Sequence, residues 1–307
     1  MEQLNRDTKN HLEATTYTVI YSLMTVLSLA GNSLVCLSFY RNRRLRTISN
    51  FYVLSLAIAD IIASTFFFPF STVATGLRRW PFGYIFCQFN GFLVPYWSQV
   101  STCSLAMASV NRYFCVLKPS KYRLFFTRKK AALSIVVMWV LLLVQALAFF
   151  ALPVIYRWYP VSSYCRGTFL DKITENIYYV FYGCFYVIAM SLVVFCYSKV
   201  YRAIRQHNNA VIPSLQDANR VGSRSAQEIK ASRVLFASVV GFFVCWTPAI
   251  VTFLFEFGFL ITVPPIVHSL YPTLCSFSSL INPVIYGVMN RAMRKEFENI
   301  LFCRKDG

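Results

Sequence analysis

The chain has 307 residues, 57% of them hydrophobic and only 14% charged, with a formal net charge of +18. A soluble domain runs nearer to about 45–50% apolar and about 25% charged, so a large soluble helical protein is excluded by the lack of charged helix faces. The basic excess lies in short connections between apolar runs, which removes nucleic acid as its partner.

In chain order, the first residues, "MEQLNRDTKNHLEATT", are polar and lack the apolar core of a removable signal peptide. Seven mostly apolar runs follow, at 17–40, 48–75, 84–117, 130–152, 174–205, 227–258 and 263–287. Each is long enough for a membrane-spanning helix, the form in which backbone groups satisfy one another inside lipid. The expected fold class is therefore an all-α membrane protein, a seven-transmembrane helix bundle. The stretch "NRAMRKEFENILF" predicts a short amphipathic eighth helix on the cytoplasmic surface. The expected domains are a short extracellular N-terminus at 1–16, the bundle at 17–287, and a surface helix with a short tail at 288–307. Polar "QHNNAVIPSLQDANRVGSRSAQE", with Pro213 and Gly222, reads as a linker.

Charge sets the expected orientation. The first, third and fifth connections and the C-terminal segment share one side and carry 22 Lys and Arg residues, against 7 on the opposite side. That bias puts the first side in the cytoplasm and the N-terminus outside, and draws the inner face to anionic lipid. Of ten cysteines only Cys87 and Cys165 fall on the outward side, where an oxidising exterior favours a disulfide between them. Cys303, beyond the amphipathic stretch, is a candidate for acylation. No cysteine has metal-ligand spacing.

Polar residues within the spans are the functional candidates, because lipid makes them costly. Asp60 in "LSLAIAD" is the one acid of the second run. Asn32, Ser101, Ser278, Ser279 and Asn282 are its candidate partners. Two readings stay open there: a polar cluster that packs helices, and a core that takes up a cation, with sodium as the candidate ion. Pro283, beside Asn282, must interrupt the local hydrogen-bond ladder.

Several motifs in order carry a resemblance to a known family. They are "GNSLV", "LAIAD", "WPFGYIFCQ", "NRY", Trp139, "FFVCWTP" and "NPVIY". Together they resemble the rhodopsin-like (class A) G-protein-coupled receptors over almost the whole chain. The melatonin-receptor and opsin neighbourhood is suggested by "NRY", "GFLV" and "CQFNGF". The resemblance implies a receptor that hands a ligand signal to a heterotrimeric G protein, with arrestin and a receptor kinase as further partners, and no enzyme chemistry. It implies a switch in which Arg112, between Asn111 and Tyr113, is held at rest by Glu228 until helix six swings outward. Tyr197 and Tyr286 then turn in, and Phe242, Trp246, Pro248, Asn282 and Pro283 transmit the change. Family members usually place an acid where Asn111 stands, so raised basal signalling is expected.

The implied ligand chamber is aromatic and nearly uncharged: Val94, Pro95, Ser98, Gln99, Phe181, Tyr182, Phe185, Trp246, Ala249, Ile250, Phe253, His268, Pro272 and Ser276. Amine receptors place an aspartate at the Val94 position, and opsins place the retinal-linking lysine at that of Ser276. Neither a protonated amine nor covalent retinal is then expected, and a neutral lipophilic or aromatic ligand remains, oriented by Gln99, Tyr182 or His268. Two alternatives are a pigment-less opsin relative signalling constitutively, and a short-peptide receptor using Arg157, Arg166 and Glu256. The family proline of helix five is replaced by Ala189. A transporter or channel would need broken helices or a polar file through the bundle, and neither is visible.

Overall fold

The computed structural model describes the backbone of residues 2–152, 154–160, 162–211, 221–253, 255–256, 263 and 265–304. Side chains are described for all of these except 2–11, 207–211, 221–231, 265–266 and 268–272. Helix α1 spans Glu2–Arg41, α2 Ile48–Phe66, α3 Phe68–Leu77, α4 Gly83–Leu117, α5 Pro119–Phe125 and α6 Arg128–Phe150. Strands β1 (Val154–Tyr159) and β2 (Tyr164–Phe169) precede α7 Lys172–Val211, α8 Val221–Phe253, α9 Pro265–Met289 and α10 Arg291–Leu301.

The expected runs become helices with three differences. First, α1 continues back through the polar start to Glu2. Second, the run at 48–75 is two helices that meet at Phe67, because Pro69 in the first turn of α3 has no N–H to extend α2. Third, the connection after α4 contains α5, which begins at Pro119. Among the described residues five helical stretches are long and apolar enough to cross a membrane. α4 is not one of them, since Gln88, Asn90, Gln99, Asn111 and Arg112 lie buried along it.

Burial shows which faces meet. In α6 only Ala131, Met138, Leu142 and Ala146 are buried, a single stripe at helical spacing. Leu133, Val136, Val137, Val140, Leu141, Val144 and Leu147 are apolar and exposed, as the outer face of a lipid-facing helix must be. α4 instead runs through the centre, with buried residues from Cys87 to Arg112.

Pro283 interrupts the hydrogen-bond ladder of α9 as expected, while the helix itself runs on. Lacking an N–H, it leaves the carbonyl of Ser279, four residues back, without its helical donor. Asn32 of α1 donates to that carbonyl at 3.0 Å. Gly31 allows this approach: a Cβ there would meet Pro283 Cβ at 2.8 Å. Small residues at such crossings let helices come close in lipid. Gly31→Val is expected to destabilise by about 1–3 kcal/mol through this overpacking, read as a lower thermal midpoint of purified protein.

α10 docks on the end of α1. Asn290 caps it, its Oδ1 accepting from Ala292 N at 3.1 Å and Met293 N at 3.2 Å. Glu296, only 1% exposed, faces Arg41 Nε at 3.7 Å and accepts from Asn42 Nδ2 at 3.3 Å. Cys303 is exposed just beyond α10.

At the start of α7, Asp171 Oδ1 accepts from Thr174 N at 2.7 Å, an N-terminal cap. Hydrogen bonding from Thr174 holds the Asp171 carboxyl below its ordinary value. A depressed folded-state pKa means the cap's contribution is present above the ordinary carboxylate range and lost as pH falls through it. Protection of the amides in the first turn of α7, measured against the unfolded chain's exchange at the same pH, should therefore fall in acid, and Asp171→Ala should show low protection at every pH.

Candidate ligand chamber and switch

The hairpin forms the roof of a chamber. β1 and β2 pair antiparallel, with Trp158 opposite Cys165 and Tyr156 opposite Gly167. Cys165 is joined to Cys87 at the head of α4 by the expected disulfide. Gln88 holds the other strand, β1: its Nε2 donates to Tyr156 O at 2.8 Å and its Oε1 accepts from Tyr156 N at 3.1 Å. Tyr156 then lies on Gly91, where a Cβ would come within 2.0 Å of its ring.

Beneath the roof is a cavity of about 170 Å3. α4 supplies Val94, Pro95, Ser98, Gln99 and Thr102, α7 supplies Tyr178, Tyr179, Tyr182, Phe185 and Tyr186, and α8 supplies Trp246, Ala249, Ile250 and Phe253. Every sequence-predicted lining residue of α4 and α8 is there. Phe181 is not: at helical spacing it falls off the face of Tyr178, Tyr182 and Tyr186, is 38% exposed and packs on Phe149. Ser276 is also displaced. It is buried beside a small neighbouring space with Tyr21 and Ser163, reached past Phe67, which lines both. The side chains of His268 and Pro272 lie outside the described residues.

Sequence reasoning missed the roof residues Tyr156, Tyr164 and Gly167, and gave Arg166 only to the peptide alternative. Their signal was the disulfide itself, since neighbours of Cys165 must lie over the mouth once it is tied to α4. Arg166 brings a charge to a chamber read as nearly uncharged. Its Nε donates to the Tyr179 hydroxyl at 3.2 Å, and its guanidinium lies 3.9 Å from Glu256 and over the rings of Tyr179 and Phe253. Arg157, opposite Arg166 in the strand pairing, is exposed and does not line the chamber.

Gln99 is only 2% exposed, and neither end of its amide has a hydrogen-bond partner among the described residues. A buried amide wants partners, so this wall residue is poised for a ligand or water.

The floor connects to Asp60. Trp246 donates through Nε1 to Ser278 Oγ at 3.0 Å, stacks on Phe242 at 5.5 Å, and meets Trp97 at 5.4 Å between ring centroids. Trp97 Nε1 donates to Asp60 Oδ1 at 3.1 Å. Ser279 donates to the same oxygen at 2.6 Å, and Asn282 Nδ2 to Oδ2 at 3.2 Å. Two of the expected partners therefore reach the carboxylate, and Trp97 is an unexpected third. Ser278 serves Trp246 and Cys275 O instead, Asn32 serves Ser28 and Ser279 O, and Ser101 Oγ has no partner among the described residues.

At the opposite end of α4, Arg112 is 5% exposed and Asn111 is fully buried. Asn111 Oδ1 accepts from Ser49 Oγ at 2.6 Å, so this position is tied to α2. Tyr113 packs on Phe195. Tyr197 is buried against Ser109 and Arg112, with buried Tyr286 beside it. The side chain of Glu228 lies outside the described residues. Pro248 sits inside α8, two residues past Trp246 of the Phe242–Trp246 stack.

The family model described as 7 transmembrane receptor (rhodopsin family) matches residues 31–286. The chain belongs to this family. The receptor is 28% identical to the protein named "Rhodopsin, GQ-coupled" of Mizuhopecten yessoensis, over 93% of this chain and 60% of the scallop protein. It is 27% identical to the histamine H2 receptor of Homo sapiens and 27% to the melatonin receptor type 1A of Phodopus sungorus. Each of these alignments covers 94% of this chain and 80% of the relative. Squid rhodopsin shares the fold, with a TM-score of 0.81 at 22% identity over 97% of this chain and 89% of its own. The receptor is thus a multi-pass protein of the plasma membrane, and not an enzyme.

Proposed function

We propose that this receptor carries binding of a small, neutral, lipophilic or aromatic ligand in the roofed chamber to a heterotrimeric G protein. In this reading the N-terminus is extracellular and the C-terminus cytoplasmic, residues 17–287 form the receptor domain, and residues 288–307 form the surface helix and tail. The observation that carries it is the unbroken path from the chamber floor, through Trp246 and Trp97, to Asp60 and α9. A ligand pressing on Trp246 shifts rings that are hydrogen-bonded to two other helices, which supplies the differential contact a two-state switch requires.

The switching movement is an outward swing of α8 that frees Arg112 from Glu228 and opens a cleft for a G-protein helix. Pro248 supplies a weak point in that helix. Tyr197 and Tyr286 stand next to the arginine ready to hold the opened form. Arrestin and a receptor kinase would use the same face, and acylated Cys303 would hold α10 at the lipid surface. Gln99 orients the ligand through a donor and an acceptor, and Tyr182, already receiving a hydrogen bond from Gln145 at 3.2 Å, closes one side. The relatives include a receptor named for histamine, yet Val94 offers an amine no counter-ion.

Covalent retinal needs a lysine, and residues 263–287 contain none. That favours a second reading, a pigment-less relative of opsins with high ligand-free output. A peptide receptor is less well supported, because Arg166 and Glu256 already face each other.

Nucleotide exchange on purified Gαβγ, with receptor in lipid nanodiscs, tests the proposal. Arg112→Leu should reduce exchange to the rate of the G protein alone while leaving the thermal midpoint in place. Asn111→Asp should lower ligand-free exchange by restoring an acid beside Arg112; unchanged or higher exchange would count against the basal-activity reading.

A further inference from the structure

The sequence left a cation near Asp60 as one of two open readings, and the geometry argues for a different occupant. An ion bound to a buried carboxylate needs that carboxylate's own lone pairs, because neutral oxygens alone do not balance its charge. A carboxylate has about four acceptor sites. Here Oδ1 takes the Trp97 indole and the Ser279 hydroxyl, and Oδ2 takes the Asn282 amide. Asp60 is 1% exposed and Trp97 4% exposed, so the indole fills the space beside the acid and, with Ser279, both acceptor sites of Oδ1, which leaves a single site on Oδ2.

We infer that Trp97 stands where an ion would otherwise bind: its N–H stabilises the buried Asp60 carboxylate by hydrogen bonding, which makes the receptor indifferent to sodium. An indole is donor-only, so once buried it must find an acceptor, and the acid is the acceptor within reach. The ring is locked on three sides, by Phe67 at 6.4 Å, Phe68 at 5.6 Å and Trp246 at 5.4 Å. Trp97 is therefore a positioning residue that joins the chamber floor to the acid directly, without an exchangeable ion between them. Oxygens of Asn32, Ser101 and Asn282 lack donors among the described residues. They are neutral acceptors that suit water, which needs no free carboxylate lone pair.

Thermal unfolding separates this inference from the signalling proposal, since it needs neither ligand nor G protein. Purified receptor in phosphatidylcholine nanodiscs is melted in sodium chloride and in N-methyl-D-glucamine chloride at matched ionic strength. The wild type should melt alike in both. Trp97→Asn removes the indole, opens volume and offers an oxygen, and should acquire a sodium-specific response. The folded-to-unfolded ratio of that variant should rise about tenfold when sodium stands at about ten times its dissociation constant. A sodium-specific rise in the wild type overturns the inference, and this arm stands even if the variant does not fold. A folded Trp97→Asn that ignores sodium overturns the role given to Trp97.

Discussion

Asp60→Ala is expected to destabilise the receptor by about 2–4 kcal/mol. Three buried donors, Trp97 Nε1, Ser279 Oγ and Asn282 Nδ2, lose their acceptor at once. Ser279 and Asn282 are one helical turn apart on α9 and Trp97 is on α4, so the damage spreads over three helices. Asp60→Asn gives the contrast. It keeps a carbonyl oxygen for the indole and the hydroxyl and loses only the acceptor for Asn282, whose amide has a second bond to Ser278 O at 3.1 Å. Its cost should be about 1 kcal/mol, since removing a charge from a buried site offsets part of the loss. Thermal midpoints of the two variants check the order; equal losses would mean that the carboxylate's charge matters more than its acceptors.

Cys87→Ser is expected to cost about 4 kcal/mol and to open the chamber. The bridge closes a loop across 78 positions of chain, and loop-closure entropy of that length gives roughly this figure. Gln88 and Asn90 would still hold the hairpin, through the Tyr156 amide pair and Cys165 N at 3.4 Å, so the roof should loosen rather than leave. Amide exchange over β1 and β2 should accelerate far more than over α2 or α6. Cys165→Ser should match it, and the double variant should add nothing further, because both remove the same bond. An additive double variant would refute the assignment.

The sequence alone determined the class, the order of spans, the pairing of Cys87 with Cys165 and the positions of nearly all the interior polar groups. Hydropathy and charge act locally along a chain, so a run such as 130–152 declares its environment whatever it packs against. Hydropathy and motifs then placed Asp60, Arg112, Trp246 and Asn282 on their helices, and the family resemblance those motifs carry implied most of the chamber's α4 and α8 lining.

Only the tertiary structure decided who meets whom. Helices that are apolar on every face carry little record of their rotation, so Phe181 and Tyr182 looked equivalent until one turned to Phe149 and the other to the chamber. Trp97 read as one more aromatic in a chain that is 17% aromatic; its bond to Asp60 depends on the depth and rotation of α4 against α2. The same holds for Asn32, which completes the ladder that Pro283 leaves open, and for Ser276, set behind Phe67 in a separate space. In a membrane interior donors and acceptors are few and each must be satisfied. Three-dimensional proximity, not sequence distance, selects the partner.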